Sequence, residues 1–168
     1  MTAPARCWCT PHRVDPSTRN LVHNPLWERK IGTGGIIRTN GGLIMSASEN
    51  LEATKKAYAA FAAGDIEAVV SNWDDDLEWF IPGNGTLSGT YHGKDEVLGF
   101  FAKLAEKSFT TAPSRFLADE DVVVALTQTT TAGKTTAQAD VLTFRDGKVV
   151  KAESIGDTAA WERIWGTK

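Results

Sequence analysis

Residues 122–156 read VVVALTQTTTAGKTTAQADVLTFRDGKVVKAESIG, and the architecture of the chain follows from how this stretch is punctuated. Three runs dense in Val and Thr, 122–131, 135–144 and 148–156, are parted only by Ala132-Gly133 and Asp146-Gly147. β-Branched side chains sit well on a pleated surface, and connections this short cannot cross over a sheet, so the three runs are antiparallel neighbours. A further run, 114–118, precedes them across Asp119-Glu120-Asp121 and extends the meander to four strands. Alternation along 135–144 places Gln138, Asp140, Leu142 and Phe144 on one face, and Ala139, Val141 and Thr143 on the other.

Upstream of the meander the period changes from two to 3.6. Ser46 and Glu49 have the spacing of a capping box, in which each side chain satisfies an unpaired backbone N–H at a helix start. Leu51, Tyr58, Phe61 and Ala62 then recur on one helical stripe as far as Gly64, a residue suited to a left-handed stop. Asp65 caps a second helix carrying Ile66, Val69, Val70 and Trp73, and Asp74-Asp75-Asp76 ends it, because negative charge is unfavourable at a helix C-terminus. A strand over 77–81 closes at Pro82, and the turn-rich stretch from Gly83 to Gly93 leaves room for a short strand around Tyr91. Val97, Phe100, Phe101 and Leu104 then mark a third helix running to about Lys107. Trp161 and Trp165, four apart, suit a short closing helix. Helices followed by strands predict an α+β fold, with three N-terminal helices packed against one face of a curved antiparallel sheet.

All of these signals lie in 45–168, which reads as the single folded domain of a chain of 168 residues. Residues 1–44 are net basic where the remainder is net acidic, end in the glycine-rich stretch Gly32 to Gly42 and show no period, so they read as a poorly ordered extension. Two accounts of it stay open, a disordered tail or an over-extended gene start ahead of Met45. Cys7, Cys9, His12 and His23 lack the spacing of a zinc site, and Gly32-Thr33-Gly34-Gly35 lacks the Lys and Ser/Thr of a phosphate loop, so neither a metal nor another cofactor is expected. The formal charge of −3 gives no electrostatic reason to bind nucleic acid. No apolar run has the roughly 18 residues of a membrane span, and no leader-like apolar core opens the chain, so a cytoplasmic protein is expected.

The succession Tyr58-x-x-Phe61-x-x-Gly64-Asp65, Trp79-x-x-Pro82-Gly83, Gly89-x-x-x-Gly93-Lys94, Asp146-Gly147-Lys148 and Asp157 resembles the SnoaL-like branch of the NTF2-like superfamily, over about residues 47–160. That superfamily includes ketosteroid isomerases, polyketide cyclases and limonene epoxide hydrolase. The resemblance implies a cone, a bent sheet wrapped around a long helix, enclosing an apolar cavity for a small organic ligand. It also implies a homodimer formed through the outer face of the sheet. Matched without gaps to the isomerases, the catalytic Tyr of the first helix falls on Ala57 and the catalytic base on Ile81, so both are missing. Tyr58, one residue on, is turned by about 100° from that position and reads as a pocket residue. The second acid of the isomerases, which donates to a developing oxyanion, falls on Asp140. The Arg and two Asp of the epoxide hydrolases have no counterpart in 122–131.

Asp140 is therefore the leading catalytic candidate. If its face lines the cone, desolvation raises its pKa until it can hold or give up a proton. The competing reading has it at the rim, paired with Lys151 on the next strand. His92, the one histidine of the domain, is a second acid/base candidate, although Gly89 and Gly93 equally describe an exposed loop around it. Trp79 and Ile81 share a strand face and are expected to line the pocket with Tyr58, Tyr91, Phe100, Gln138 and Phe144. The expected function is a small-molecule pocket protein, acting as a cofactor-free acid/base isomerase or cyclase on an apolar carbonyl compound. The alternative is a non-catalytic ligand-binding or dimerising accessory module.

Overall fold

The computed structural model describes residues 46–168; the readings of residues 1–44 and of Met45 lie outside them. The elements run α1 (Ala47–Ala63), α2 (Ile66–Val70), β1 (Trp73–Ile81), β2 (Gly89–His92), α3 (Gly93–Ala105), β3 (Thr110–Asp119), β4 (Val122–Thr131), β5 (Lys134–Arg145), β6 (Lys148–Gly156) and α4 (Thr158–Trp165). Helix α1 starts at the capping box, with the Ser46 side chain accepting from Glu49 N and the Glu49 side chain accepting from Ser46 N. It stops where Gly64 turns left-handed, at φ 77°. The side chains of Asp65 and Asp157 cap α2 and α4, each accepting from the N–H three residues on.

Six strands form one curved sheet in the order β2-β1-β6-β5-β4-β3. The meander β3 to β6 is antiparallel, and its turns use left-handed residues: Ala132 and Gly133 at φ 49° and 75°, Asp146 and Gly147 at 51° and 78°. Positive φ at both central residues matches the strand twist of a tight hairpin. β1 and β6 run parallel, the one departure from an antiparallel sheet. A local reading of turns cannot find this pair, because α3 and four strands intervene between its two partners.

The second helix is shorter than its apolar spacing suggests. It ends at Val70, and Trp73 opens β1, four residues ahead of the expected strand start. Extended backbone relieves the acidic run of a helix C-terminus and gives it cations across the surface. Lys94 Nζ lies 2.6 Å from Asp75 Oδ1, and Arg145 Nη2 lies 3.9 Å from Asp74 Oδ2. Trp73, Leu77 and Ile81 point inward from the same strand and are buried.

Two groups of buried side chains hold helices to sheet. One joins Trp73, Leu77, Val97, Val123, Leu142, Phe144 and Val149. The other joins Ile81, Phe100 and Leu104, against which Trp161 and Trp165 of α4 pack. The β1–β2 connection fits under α4 through Gly83, whose φ is +100° and where a Cβ would lie 3.0 Å from Thr158 Cβ. Gly83→Ala is expected to cost about 2 kcal/mol from backbone strain and that contact, read as a lower urea midpoint. An unchanged midpoint would show that α4 does not seat on this turn.

Candidate functional site

Between the sheet and helices α1, α3 and α4 lies a cavity with about 80 Å³ open to the centres of water-sized spheres. That is several times the roughly 10–15 Å³ one water requires. Four α1 residues spaced i, i+3, i+4 and i+7, Thr54, Ala57, Tyr58 and Phe61, form one wall. Phe101 of α3 is the hub of another. Its ring makes edge contacts with Phe61, Trp73 and Trp79, at centroid distances of 5.5, 5.5 and 5.2 Å. Edge-to-face arrays of this kind set positive ring edges against negative faces and hold the wall rigid.

The polar pole of this apolar chamber is Asp140, 5% exposed and facing inward from β5. Three donors converge on it. Tyr58 Oη–H donates to Oδ2 at 2.6 Å, while Gln138 Nε2 and Ser154 Oγ each donate to Oδ1 at 2.7 Å. The indole of Trp79 donates from Nε1 to Ser154 Oγ at 3.1 Å. An indole N–H can only donate, so it fixes the direction of the serine hydroxyl toward the carboxylate.

Among the described residues no cation pairs with Asp140. Burial pushes its pKa up, and the hydrogen bonds from Tyr58, Ser154 and Gln138 pull in the opposite direction without cancelling the rise. The Tyr58 phenol is held far above its ordinary range, first by burial and then by the charge of Asp140 and their shared hydrogen bond, so it stays protonated. Oδ1 has both acceptor directions filled, whereas Oδ2 retains one beside the Tyr58 oxygen.

The residues named from sequence fall into two groups. Asp140, Tyr58, Trp79, Ile81, Phe100 and Gln138 all line the cavity. Tyr58 reaches it although one position off the isomerase pattern, because the inward stripe of α1 is wide enough to present both Ala57 and Tyr58. His92, Tyr91 and Phe144 are not among the lining residues. His92 pairs across β1–β2 with Glu78, and Tyr91 with Trp79, so strand parity turns His92 to the opposite face, where its Nδ1 lies 3.5 Å from Glu78 Oε1. That side chain is 62% exposed and plays no part in the polar pole. Tyr91 donates its hydroxyl to Leu87 O and packs on Phe100, its ring centroid 4.7 Å away, behind the wall. Phe144 is core packing beyond Leu142 on the inner face. Lys151 stands opposite Thr143 and bonds Glu153, so the rim pairing with Asp140 does not form.

Sequence reasoning missed Ser154, Trp73, Phe61, Phe109 and Trp161 as cavity residues. Phe61 and Trp161 carried a signal, each lying on an apolar helical face, but helical spacing does not separate a cavity wall from solid core.

Residues 54–152, more than half the chain, match the model of the SnoaL-like domain, and the chain belongs to that family. This is a small-molecule-binding family on an NTF2-like fold, as the sequence resemblance implied. An uncharacterized protein of Mycobacterium tuberculosis is 29% identical over 130 residues, covering 72% of this chain and 99% of its relative. An NTF2-like protein of Burkholderia pseudomallei superposes with a TM-score of 0.63 at 28% identity, covering 70% of this chain and 97% of the other. TerC, co-crystallized with polyporic acid, superposes at 0.62 and is 30% identical, covering 71% of this chain and 99% of its own.

The raised pKa of Asp140 sets the sign of a pH effect on stability. Between the ordinary value of 3.8 and its value in the fold, the native protein binds a proton that the unfolded chain has released. Stability is therefore expected to fall as pH rises through that window and to level off above it. Asp140→Asn should lack this fall because an amide does not titrate, and it should fold because that amide can donate to the Tyr58 oxygen and still accept from Gln138 and Ser154. Urea unfolding of both proteins over the acidic range would check it; parallel profiles would refute an uncompensated carboxyl.

Proposed function

We propose that this chain holds a small, largely apolar organic molecule bearing a carbonyl or enolisable group, and that Asp140 holds or transfers a proton on it. One observation carries the reading. Among the described residues lining the cavity, the ionisable groups are Tyr58 and Asp140, bonded to each other within walls that are almost wholly apolar. Tyr58 keeps its proton, so proton traffic falls to Asp140. A single carboxylate suffices for a tautomerisation or an isomerisation through an enol: it takes a proton from the carbon beside the carbonyl and returns it elsewhere on the same molecule. No electron is gained or lost and no group leaves, so no cofactor is needed. The likeness to TerC, which was co-crystallized with polyporic acid, supports a small organic molecule as the ligand.

A specific observation favours the second reading, a ligand carrier without turnover. Ile81 lies on the cavity wall where the isomerase resemblance calls for a base. The two readings part on what happens to a copurifying molecule. Mass spectrometry identifies the extracted ligand, and its chromatographic retention and proton NMR spectrum before and after incubation with fresh protein give an altered isomer of the same mass for the enzyme and unchanged release for the carrier. Asp140→Asn should lower any turnover by at least about a hundredfold while the folded far-ultraviolet spectrum is retained. Turnover that survives the change would remove Asp140 from the chemistry.

Homodimerisation belongs to the same proposal. Leu117, Leu126 and Ile155 are exposed on the outer face of the sheet, beside the half-buried Val124, Ala139 and Val141. Apolar side chains clustered in this way on one face suit a second copy of the chain. Light scattering should give twice the chain mass. The double variant Leu126→Glu, Ile155→Glu should give the single mass, whereas a wild-type monomer at micromolar concentration would reject the dimer.

A further inference from the structure

Two polar atoms on the cavity wall take no part in the Asp140 network. Asn72 Nδ2 and Thr111 Oγ1 are buried and unpaired, and their residues line the chamber. The two are not equivalent. A threonine hydroxyl can rotate to suit its surroundings, whereas a primary amide presents its N–H groups in a fixed plane, so an unpaired buried amide is the more demanding. Leaving such a donor unmatched is costly, because it has lost its water and gained no acceptor in exchange.

The position of Asn72 is set by the sheet. Its carbonyl accepts from Val149 N at 2.9 Å, and Val149 is paired with Phe144. Phe144 is four residues along β5 from Asp140, a separation of about 13 Å in the strand direction. The aromatic wall of Trp73, Trp79 and Phe101 contributes to the same chamber. Asn72 and Ala57 also border an open groove outside, between α1 and α2, with Glu52, Lys56 and Ser71. Asn72 and Ala57 thus stand between the chamber and the outside at this end.

We propose that Asn72 is a second polar anchor, so that the ligand is elongated, apolar along its middle, and carries a hydrogen-bond-accepting oxygen at the end remote from Asp140. This rests on the small-molecule reading given above and narrows it to compounds oxygenated at both ends. A molecule with oxygen at one end only leaves the amide unmatched. One with a carbonyl or ether at the far end satisfies it and gains selectivity, because a site built to hydrogen-bond a group discriminates strongly against an analogue lacking that group.

The test compares shape-matched probes on the full chain. 6-Acetyl-2-naphthol and 6-isopropenyl-2-naphthol differ by a carbonyl oxygen against a methylene, and 2-naphthol serves as the core probe. Affinities are read by naphthol fluorescence. Wild-type protein should bind the acetyl compound about tenfold more tightly than the isopropenyl compound. Asn72→Leu and Asn72→Ala should abolish that preference while still binding 2-naphthol. Equal wild-type affinities for the matched pair, or a preference that persists without the amide, would overturn the anchor while leaving the small-molecule reading intact. The wild-type comparison stands even where a variant does not fold. If none of the three naphthols binds the wild type, the small-molecule reading fails and the anchor fails with it.

Discussion

A carboxyl group buried with no cation beside it persists only if fixed dipoles replace the water it has lost. At Asp140 those dipoles come from separate parts of the chain: Tyr58 from α1, Gln138 from its own strand, Ser154 from β6, and Trp79 of β1 behind the serine. The network therefore ties the long helix to three strands of the sheet, and each donor has one suitable direction to point. Hydrogen bonds to a charged acceptor contribute about 1.5–3 kcal/mol each, against a desolvation cost of several kcal/mol for the ion. The terms are close in size, which accounts for a pKa that is raised even though three donors oppose the rise. A fully compensating arginine would have locked the group as a carboxylate and removed its ability to trade a proton.

The register that delivers Ser154 depends on one irregularity. At the Asp146-Gly147 turn, Arg145 pairs with Lys148 and Phe144 with Val149, and continuing that count would bring Glu153 opposite Asp140. A second buried carboxylate there would drive one of the two to keep its proton. Instead the ladder shifts between Thr143 and Phe144, so that Thr143 meets Lys151 and Asp140 meets Ser154. A bulge of this kind reverses which residues of the longer strand face inward. Val149 points in before it, Ala152 and Ser154 point in after it, and Glu153 is turned away to bond Lys151. One extra residue in β6 thus converts a like-charge conflict into a hydrogen bond.

That bulge also marks where sequence reading stopped. The capping box at Ser46, the left-handed Gly64, the two tight turns and the tryptophan pair of α4 were legible because each is settled by residues within four positions of one another. The inward face of β5 was legible for the same reason, since alternation is local. Ser154 was not, because a bulge leaves no signature among the Val and Lys residues around it. Nor was the β1–β6 pairing, which joins segments with most of the domain between them. His92 fell to a different cause: its place ahead of α3 was read correctly, but its side depended on pairing with Glu78 rather than on any pattern of its own.

The filled and open valences of the polar pole also bear on what kind of molecule it can meet. While Asp140 is ionised, Oδ2 and the Tyr58 oxygen offer acceptor sites, since the phenolic proton is committed to the carboxylate. Such a face suits a ligand that donates, a phenol or an enol. Once Asp140 takes up a proton it can donate to the Tyr58 oxygen, which frees the phenolic O–H for a ligand carbonyl. A ketone thus favours the protonated pole and its enol the ionised one, so each tautomer selects the protonation state complementary to itself. On the proposed reaction, linkage would make a ketone in the chamber raise the proton affinity of Asp140 and an enol lower it. A group whose proton affinity follows the tautomer in front of it is suited to pass that proton back and forth, and this property requires the carboxyl to have no permanent cation.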